Sequence, residues 1–239
     1  MIALIDMDLV CFRCAASAEN DPYNIAKYRA EELLDNILTK TEATEYRGFL
    51  SAKDNFRKKV YPEYKANRTA PKPIHLEQLR EHAMENMSAE IAEDNLEADD
   101  MLGIHQTEDT IICSLDKDLL QIPGKHFQWE IAGKGWSKPD TFIDQTPVEG
   151  LRLFYEQCLK GDTSDNIKGI SGIGNKKAKI ILEKCKDEQE MFNAVYDHYA
   201  TEDEFIMNGR CLWILRSLDD DFKNHFDRLN IDNDDKDVD

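Results

Sequence analysis

From residue 1 to about residue 159 the chain alternates short apolar runs with longer stretches of helical periodicity, a pattern that leaves few folds open. Residues 1–6 read as a short buried strand, with Ile2, Leu4 and Ile5 ending in an acid. Residues 24–40 place Ala26, Ala30, Leu33, Leu34 and Ile37 at helical spacing. Residues 46–50 read as a second strand, and from His75 onward Leu76, Leu79, Ala83, Met84 and Met87 mark one face of a helix. A helix is expected over 97–108, a β run over 110–114 and another helix over 148–159. Strands alternating with helices predict an α/β domain with a mostly parallel sheet flanked by helices. After Gly161 the pattern changes. Glycines cluster at 161, 169, 172 and 174 with no convincing strand, which predicts a helical C-terminal subdomain beginning near residue 150.

The 239 residues suffice for one sizeable domain with an appended subdomain, and 41% hydrophobic content excludes wholesale disorder. No long apolar stretch is present to span a membrane, and no basic segment followed by an apolar run marks the N-terminus for secretion. A cytoplasmic protein is expected. Of six cysteines only Cys11 and Cys14 form a C-x-x-C, and no second pair completes a zinc site. Small buried hydrophobes in a reducing compartment are the expectation. The net charge of −18 counts against a nucleic-acid ligand, which demands Lys and Arg. The charge is uneven, however. Residues 53–72 hold seven Lys and Arg against Asp54 and Glu63, a local +5. Residues 217–239 hold nine Asp against three cations, a local −6, and are expected to end in a solvated acidic tail.

Four short acidic sets punctuate the chain: Asp6 and Asp8 after the first strand; Glu97, Asp99 and Asp100 in L-E-A-D-D; Asp116 and Asp118 in S-L-D-K-D; Asp162 and Asp165 in G-D-T-S-D-N. Any single set has a plain reading as a cap or turn. Jointly they predict more, because residues just past the carboxyl ends of parallel strands converge on one side of the sheet. Carboxylates brought together repel unless cations hold them, and an all-oxygen set suits Mg²⁺ or Mn²⁺. Two such ions about 3.5–4 Å apart form a device for phosphodiester hydrolysis.

F-R-K-K-V-Y-P-E-Y-K-A-N-R, residues 56–68, interleaves cations with aromatics. Arg57, Lys58, Lys59, Lys65 and Arg68 can meet phosphates while Tyr61 or Tyr64 stacks on a base. A solvated helix face with inward tyrosines is the equal alternative. In G-I-S-G-I-G-N-K-K-A-K-I-I-L, residues 169–182, Gly172 and Gly174 precede a helix with Lys176, Lys177 and Lys179 toward its start. Lysines there are electrostatically misplaced unless an anion is bound, and free N–H groups at a helix start donate to phosphate oxygens. This is the form of a helix–hairpin–helix that grips a DNA backbone; the plain alternative is a Gly-rich turn.

In this order the motifs resemble the 5′-nuclease family: the flap endonucleases, the N-terminal nuclease domain of DNA polymerase I and the bacteriophage 5′→3′ exonucleases. The resemblance runs from Asp6, with Arg13, to Leu182. It implies a PIN-like catalytic domain over residues 1–150 with a helical arch over 69–92. A subdomain over 151–225 would carry the helix–hairpin–helix (helix–three-turn–helix), with an acidic tail over 226–239. It implies that Asp6, Glu97, Asp99, Asp100, Asp116, Asp118, Asp162 and Asp165 are metal ligands. Lys65 would stabilise the scissile phosphate together with Asp6, Asp116 and Asp118 as catalytic residues. Arg57, Tyr64, Lys65, Arg68, Gly172, Gly174, Lys176 and Lys177 would bind DNA.

The implied cofactors are two Mg²⁺ or Mn²⁺, with K⁺ at the helix–hairpin–helix. The implied partners are DNA with a 5′ end or flap, an RNA/DNA hybrid and replication proteins, the chain acting as a monomer. Products would carry a 5′-phosphate and a 3′-hydroxyl. The sequence departs from the pattern where Ser51 stands in place of the usual acid after the second strand, and where Met7 replaces the usual Gly. Residues 208–215, N-G-R-C-L-W-I-L, are similar to phage-type members. The alternatives are a PIN-like ribonuclease, a non-catalytic binder of branched DNA, and an acidic cation-binding protein.

Overall fold

The computed structural model describes residues 1–133 and 135–234. In chain order the first elements are β1 (Ile2–Asp6), α1 (Met7–Ser17), α2 (Tyr23–Thr41), β2 (Glu45–Leu50), α3 (Arg57–Val60), α4 (Leu76–Asn86), β3 (Ala89–Ile91), α5 (Ala98–His105) and β4 (Thr110–Cys113). A 3₁₀ turn at Asp118–Gln121 leads to β5 (Gly124–Gln128), β6 (Ile131–Gly133), β7 (Trp136–Lys138) and β8 (Thr141–Gln145). The remainder is α6 (Pro147–Lys160), β9 (Gly161–Asp162), β10 (Ile167–Lys168), α7 (Asn175–Leu182), α8 (Glu188–Tyr196), α9 (Glu202–Leu212) and α10 (Phe222–Asp234). None of the described helices is long and apolar enough to cross a membrane.

The chain divides into two compact units, residues 1–55 with 70–145, and residues 56–69 with 146–239. The basic run expected within the first domain therefore belongs to the second unit, and the boundary falls at 145/146 rather than 150/151. In the first unit six strands form a sheet in the order β3-β2-β1-β4-β5-β8, parallel except for the antiparallel β5–β8 pair. β1 lies between β2 and β4, with Asp6 opposite Phe49 and Ile5 opposite Cys113. Its Ala3, Leu4 and Ile5 are covered from solvent, as a central parallel strand requires. α1 and α2 bury Val10, Ala15, Ala26, Ala30 and Ile37 in the same core.

Two expectations are corrected here. The arch expected over 69–92 is occupied by α4 and β3. α4 packs Leu76, Leu79 and Ala83 into the core, and Gly48 to Leu50 pair with β3. An amphipathic helix with this much apolar surface gains more from core burial than from standing in solvent. The acidic tail expected from residue 226 instead begins inside α10, whose Phe222, Phe226 and Leu229 are buried. Residues 235–239 of that tail lie outside the described residues.

The second unit is built on aromatic rings. Phe154 meets the Trp213 ring edge-on at 4.7 Å, and Phe192, Phe205, Phe222 and Phe226 continue the cluster. Such pairs add roughly 0.5–1.5 kcal/mol beyond their burial. The 208–215 segment follows from this core. Asn208 donates to the Lys168 carbonyl, Arg210 pairs with Asp221, and a Cβ on Gly209 would lie 2.1 Å from the Phe222 ring. The strandless expectation after Gly161 is also corrected, since β9 and β10 form a minimal antiparallel hairpin. Gly161 has φ +72°, and a Cβ there would meet the Gly169 nitrogen at 2.3 Å, so only glycine lets the hairpin close.

Two outcomes follow from this packing. Phe222→Ala is expected to lower unfolding stability by about 3–5 kcal/mol, measured by denaturant unfolding. Burial pushes the Cys11 thiol up to about 12 and the Cys14 thiol up to about 11. Both should therefore resist iodoacetamide at pH 8 in the native protein and react on unfolding, read by mass spectrometry.

Candidate active site

At the carboxyl end of the sheet, residues from two neighbouring strands form one hydrogen-bonded chain. Asp6 closes β1 and caps α1, its Oδ1 accepting from the Leu9 N–H at 2.9 Å. Its Oδ2 accepts from the Ser114 hydroxyl at 2.8 Å. Ser114 Oγ accepts in turn from the Asp116 N–H at 3.0 Å, and Asp116 Oδ1 accepts from the Asp118 N–H at 2.9 Å. One serine after β4 thus couples the acid of β1 to the acidic turn S-L-D-K-D. Ser114 was not singled out by the sequence reading. The only available signal was a hydroxyl two residues ahead of Asp116.

The L-E-A-D-D set begins α5. The Glu97 N–H donates to Asp100 Oδ2 at 3.1 Å. Asp100 is wholly buried and caps the helix through Oδ2. Glu97 and Asp99 keep accessible surface, Asp118 is half-buried and Asp116 exposed. Asp6 is only 5% exposed, and its two oxygens each accept from a donor. Among the described residues, no three His, Cys, Asp or Glu side chains close into a ready metal cage. The donor set nonetheless fits a hard divalent cation in chemistry: carboxylates only, with no imidazole or thiolate among them.

The second unit carries the other acids. The segment Y-K-A-N-R and the loop between β9 and β10 clasp each other. Asp165 accepts from the Tyr64 hydroxyl at 2.9 Å and from Arg68 Nη2 at 2.6 Å, and Lys65 Nζ stands 3.8 Å from its Oδ2. Backbone groups seal the clasp: the Lys65 N–H donates to the Asp165 carbonyl, Asn67 Nδ2 to the Thr163 carbonyl, and Asn166 Nδ2 to the Glu63 carbonyl. Lys65 adopts φ +57°, a left-handed conformation that side chains other than glycine seldom hold without support. Asp162 Oδ1 folds the loop by accepting from the N–H groups of Ser164 and Asp165. Lys65 is partly buried with its ammonium 4.9 Å from the Tyr64 ring centre.

Two predicted DNA contacts are corrected. Arg57 is 2% exposed, and its guanidinium donates to the Cys211 and Trp213 carbonyls, fastening the one-turn α3 to the end of α9. A buried guanidinium with carbonyl partners anchors chain; it cannot reach a phosphate. Tyr64 is 3% exposed, so its ring packs inward and does not offer a stacking face. Arg68 remains exposed.

The glycine segment forms the expected turn before α7. Gly172 has φ +77°, Gly174 stands at the helix start without a side-chain cap, and Lys176 and Lys177 are exposed. Lys177 Nζ lies 3.9 Å from where a Cβ on Gly172 would be, so the ammonium hangs over bare backbone. An open helix start with cations beside it is an anion-binding arrangement.

A family model described as 5′-3′ exonuclease, N-terminal resolvase-like domain, matches residues 2–148. A DNA polymerase I of Bacillus caldotenax is 30% identical over 201 residues, covering 76% of this chain and 23% of the polymerase. A 5′-3′ exonuclease of Bacillus subtilis is 33% identical over 143 residues, covering 54% of this chain and 48% of that protein. A DNA polymerase I of Rhizobium leguminosarum is 35% identical over 143 residues, and the chain spans only 14% of its length. The structure of the bacteriophage T5 D15 protein co-crystallised with metal ions superposes with a TM-score of 0.64 at 16% identity, covering 88% of each chain. The T5 D15 flap endonuclease in a pseudo-enzyme-product complex with DNA and metal ions matches equally well. At that identity the likeness is one of fold. The family match covers more than half of the residues, on the sheet that carries the acidic sets, and the chain belongs to the 5′-3′ exonuclease family.

Proposed function

We propose that this chain is a divalent-metal-dependent, structure-specific 5′-nuclease that hydrolyses phosphodiesters near DNA 5′ ends or flaps. It leaves 5′-phosphate and 3′-hydroxyl ends. The observation that carries the reading is the chain of hydrogen bonds from Asp6 through Ser114 to Asp116 and Asp118 at the carboxyl end of the sheet. The T5 D15 structures with metal ions and DNA support it by analogy of fold.

On the α/β unit, Asp6, Glu97, Asp99, Asp116 and Asp118 are the proposed ligands of two Mg²⁺ or Mn²⁺. When bound, such ions lower the pKa of water and neutralise charge on the attacking and leaving oxygens. The residues themselves prepare the site. Ser114 keeps the Asp6 carboxylate aligned, and Asp100 sets the first turn of α5. On the helical unit, Lys65 is the proposed phosphate-stabilising cation. Its left-handed backbone is maintained by Asp165 and Tyr64, so its ammonium is placed before substrate arrives. Asp162 and Asp165 stay proposed as metal-facing acids of that unit, and Arg68 as a contact to the 5′ end.

The turn with Gly172 and Gly174, flanked by Lys176 and Lys177, is proposed to grip the duplex backbone, with K⁺ at the turn. That grip would be non-specific, because phosphate contacts position without reading bases. We propose a monomer acting on DNA or an RNA/DNA hybrid, with replication proteins as partners.

Cleavage of a 5′-flap duplex tests this. With Mg²⁺ the wild type should cut near the junction, and EDTA should abolish cutting. Asp116→Asn with Asp118→Asn should leave flap binding intact and remove cleavage. Lys65→Ala should lower kcat by at least about a hundredfold, with little change in binding. A wild type that binds the flap yet cuts nothing in either Mg²⁺ or Mn²⁺ would sink the reading. Separately, Lys176→Ala with Lys177→Ala should weaken flap binding at every sequence tested and flatten its salt dependence, measured by fluorescence anisotropy.

A further inference from the structure

Four segments of the α/β unit meet at Ser51. Its N–H donates to Asp8 Oδ2 at 2.8 Å, its carbonyl accepts from Arg80 Nη2 at 2.9 Å, and its hydroxyl accepts from the Ala98 N–H at 2.9 Å. Arg80 Nη1 also donates to Asp8 Oδ1, closing the ring. The first turn of α1, the end of β2, the middle of α4 and the first turn of α5 are therefore tied through three side chains. The Asp8 and Arg80 side chains are 29% and 23% exposed, too covered to count as a screened surface pair.

The location gives the network its consequence. Asp8 lies two residues from Asp6, and Ala98 lies between Glu97 and Asp99. Both oxygens of Asp8 are engaged by donors, so its carboxylate is neutralised inside the protein. Ser51 puts a neutral hydroxyl where another acid would add repulsion, and it supplies an acceptor for an N–H at the start of α5. Arg80 brings one fixed positive charge beside the acids.

We propose that Asp8, Arg80 and Ser51 form a positioning lock that sets the Glu97–Asp99 turn in register with Asp6, with Asp8 committed to Arg80 rather than to a metal ion. This rests on the proposed nuclease reading, the binding arm on its carboxylate metal site and the activity arm on its chemistry.

The test is a double-mutant cycle in the full chain, with Mn²⁺ binding followed by calorimetry without DNA and flap cleavage followed at saturating Mn²⁺. Arg80→Met frees the Asp8 carboxylate, so Mn²⁺ should bind several-fold more tightly while cleavage falls by about tenfold or more. Asp8→Asn leaves the guanidinium uncompensated, so Mn²⁺ should bind several-fold more weakly. The double variant should return to within about twofold of wild-type Mn²⁺ affinity yet still cut slowly, since Ser51 remains unheld.

If the double variant still binds Mn²⁺ about tenfold more weakly than wild type, Asp8 is a ligand and the lock is wrong. Wild-type cleavage by all three variants would equally overturn it. Should Arg80→Met fail to fold by circular dichroism, Arg80→Lys decides. It keeps the charge and loses the two-pronged contact, so unchanged Mn²⁺ affinity with slower cleavage supports the lock, and a wild-type rate overturns it. A wild type that binds Mn²⁺ but cuts no DNA defeats the nuclease reading instead, and the binding arm of the cycle still judges the lock.

Discussion

The donors that answer each acid at the carboxyl end of the sheet are the contacts on which the arrangement of the α/β unit depends. Parallel pairing of β1 between β2 and β4 brings their ends together, and the acids that follow come with them. Like charges at short range cost free energy unless donors or cations offset them. The chain spends a helix cap and the Ser114 hydroxyl on Asp6, a helix start on Asp100, and a guanidinium on Asp8. Each donor also ties one chain segment to another. The starts of α1 and α5 and the turn after β4 all take their positions from groups that answer a negative charge.

In the helical unit Asp165 plays the corresponding part. Tyr64 and Arg68 bond to it and Lys65 stands beside it, so a short basic segment is fastened to a short acidic loop. The hairpin of β9 and β10 frames that loop, and its closure depends on the absence of side chains at Gly161 and Gly169. Arg57 then pins the basic segment to the end of α9, beside the ring of Trp213 that belongs to the aromatic core. Packing and electrostatics are continuous here: the ring cluster supports the carbonyls that hold Arg57, and Arg57 begins the run that ends at Arg68.

The overall charge of −18 looks adverse to a nucleic-acid ligand, and ion pairs leave that net value unchanged, but they decide which charges stand open. Asp8, Asp165, Glu188 and Asp221 each pair with an arginine, and Asp220 accepts from Trp213, Arg216 and His225. Those contacts hold the Asp220 carboxyl below the usual range against the desolvation that opposes them. Cations left on the surface, such as Lys176 and Lys177, sit where an open helix start adds its own positive field. Net charge describes solubility and long-range attraction, while binding is decided by where the unpaired cations stand.

Periodicity and spacing alone made the alternation of strands and helices, the acidic sets after β1 and β4, and the glycine turn before α7 legible. Each is a local property: side-chain period, turn chemistry and backbone freedom act within a few residues. The sequence could not tell which cations are buried. Arg57 and Arg68 look alike in F-R-K-K-V-Y-P-E-Y-K-A-N-R, but only the fold places two carbonyls of a segment 154 and 156 residues away against the first. Nor could it tell that residues 76–86 pack as core rather than project as an arch, since an apolar helix face does not name its partner. Ser114 passed as an ordinary polar residue and Ser51 showed only as the place of a missing acid, because a hydroxyl gains its role from what the tertiary structure brings within 3 Å of it. The sequence determined which chemistry the chain carries; pairing between distant segments decided which of those groups are spent on holding the structure and which stay open.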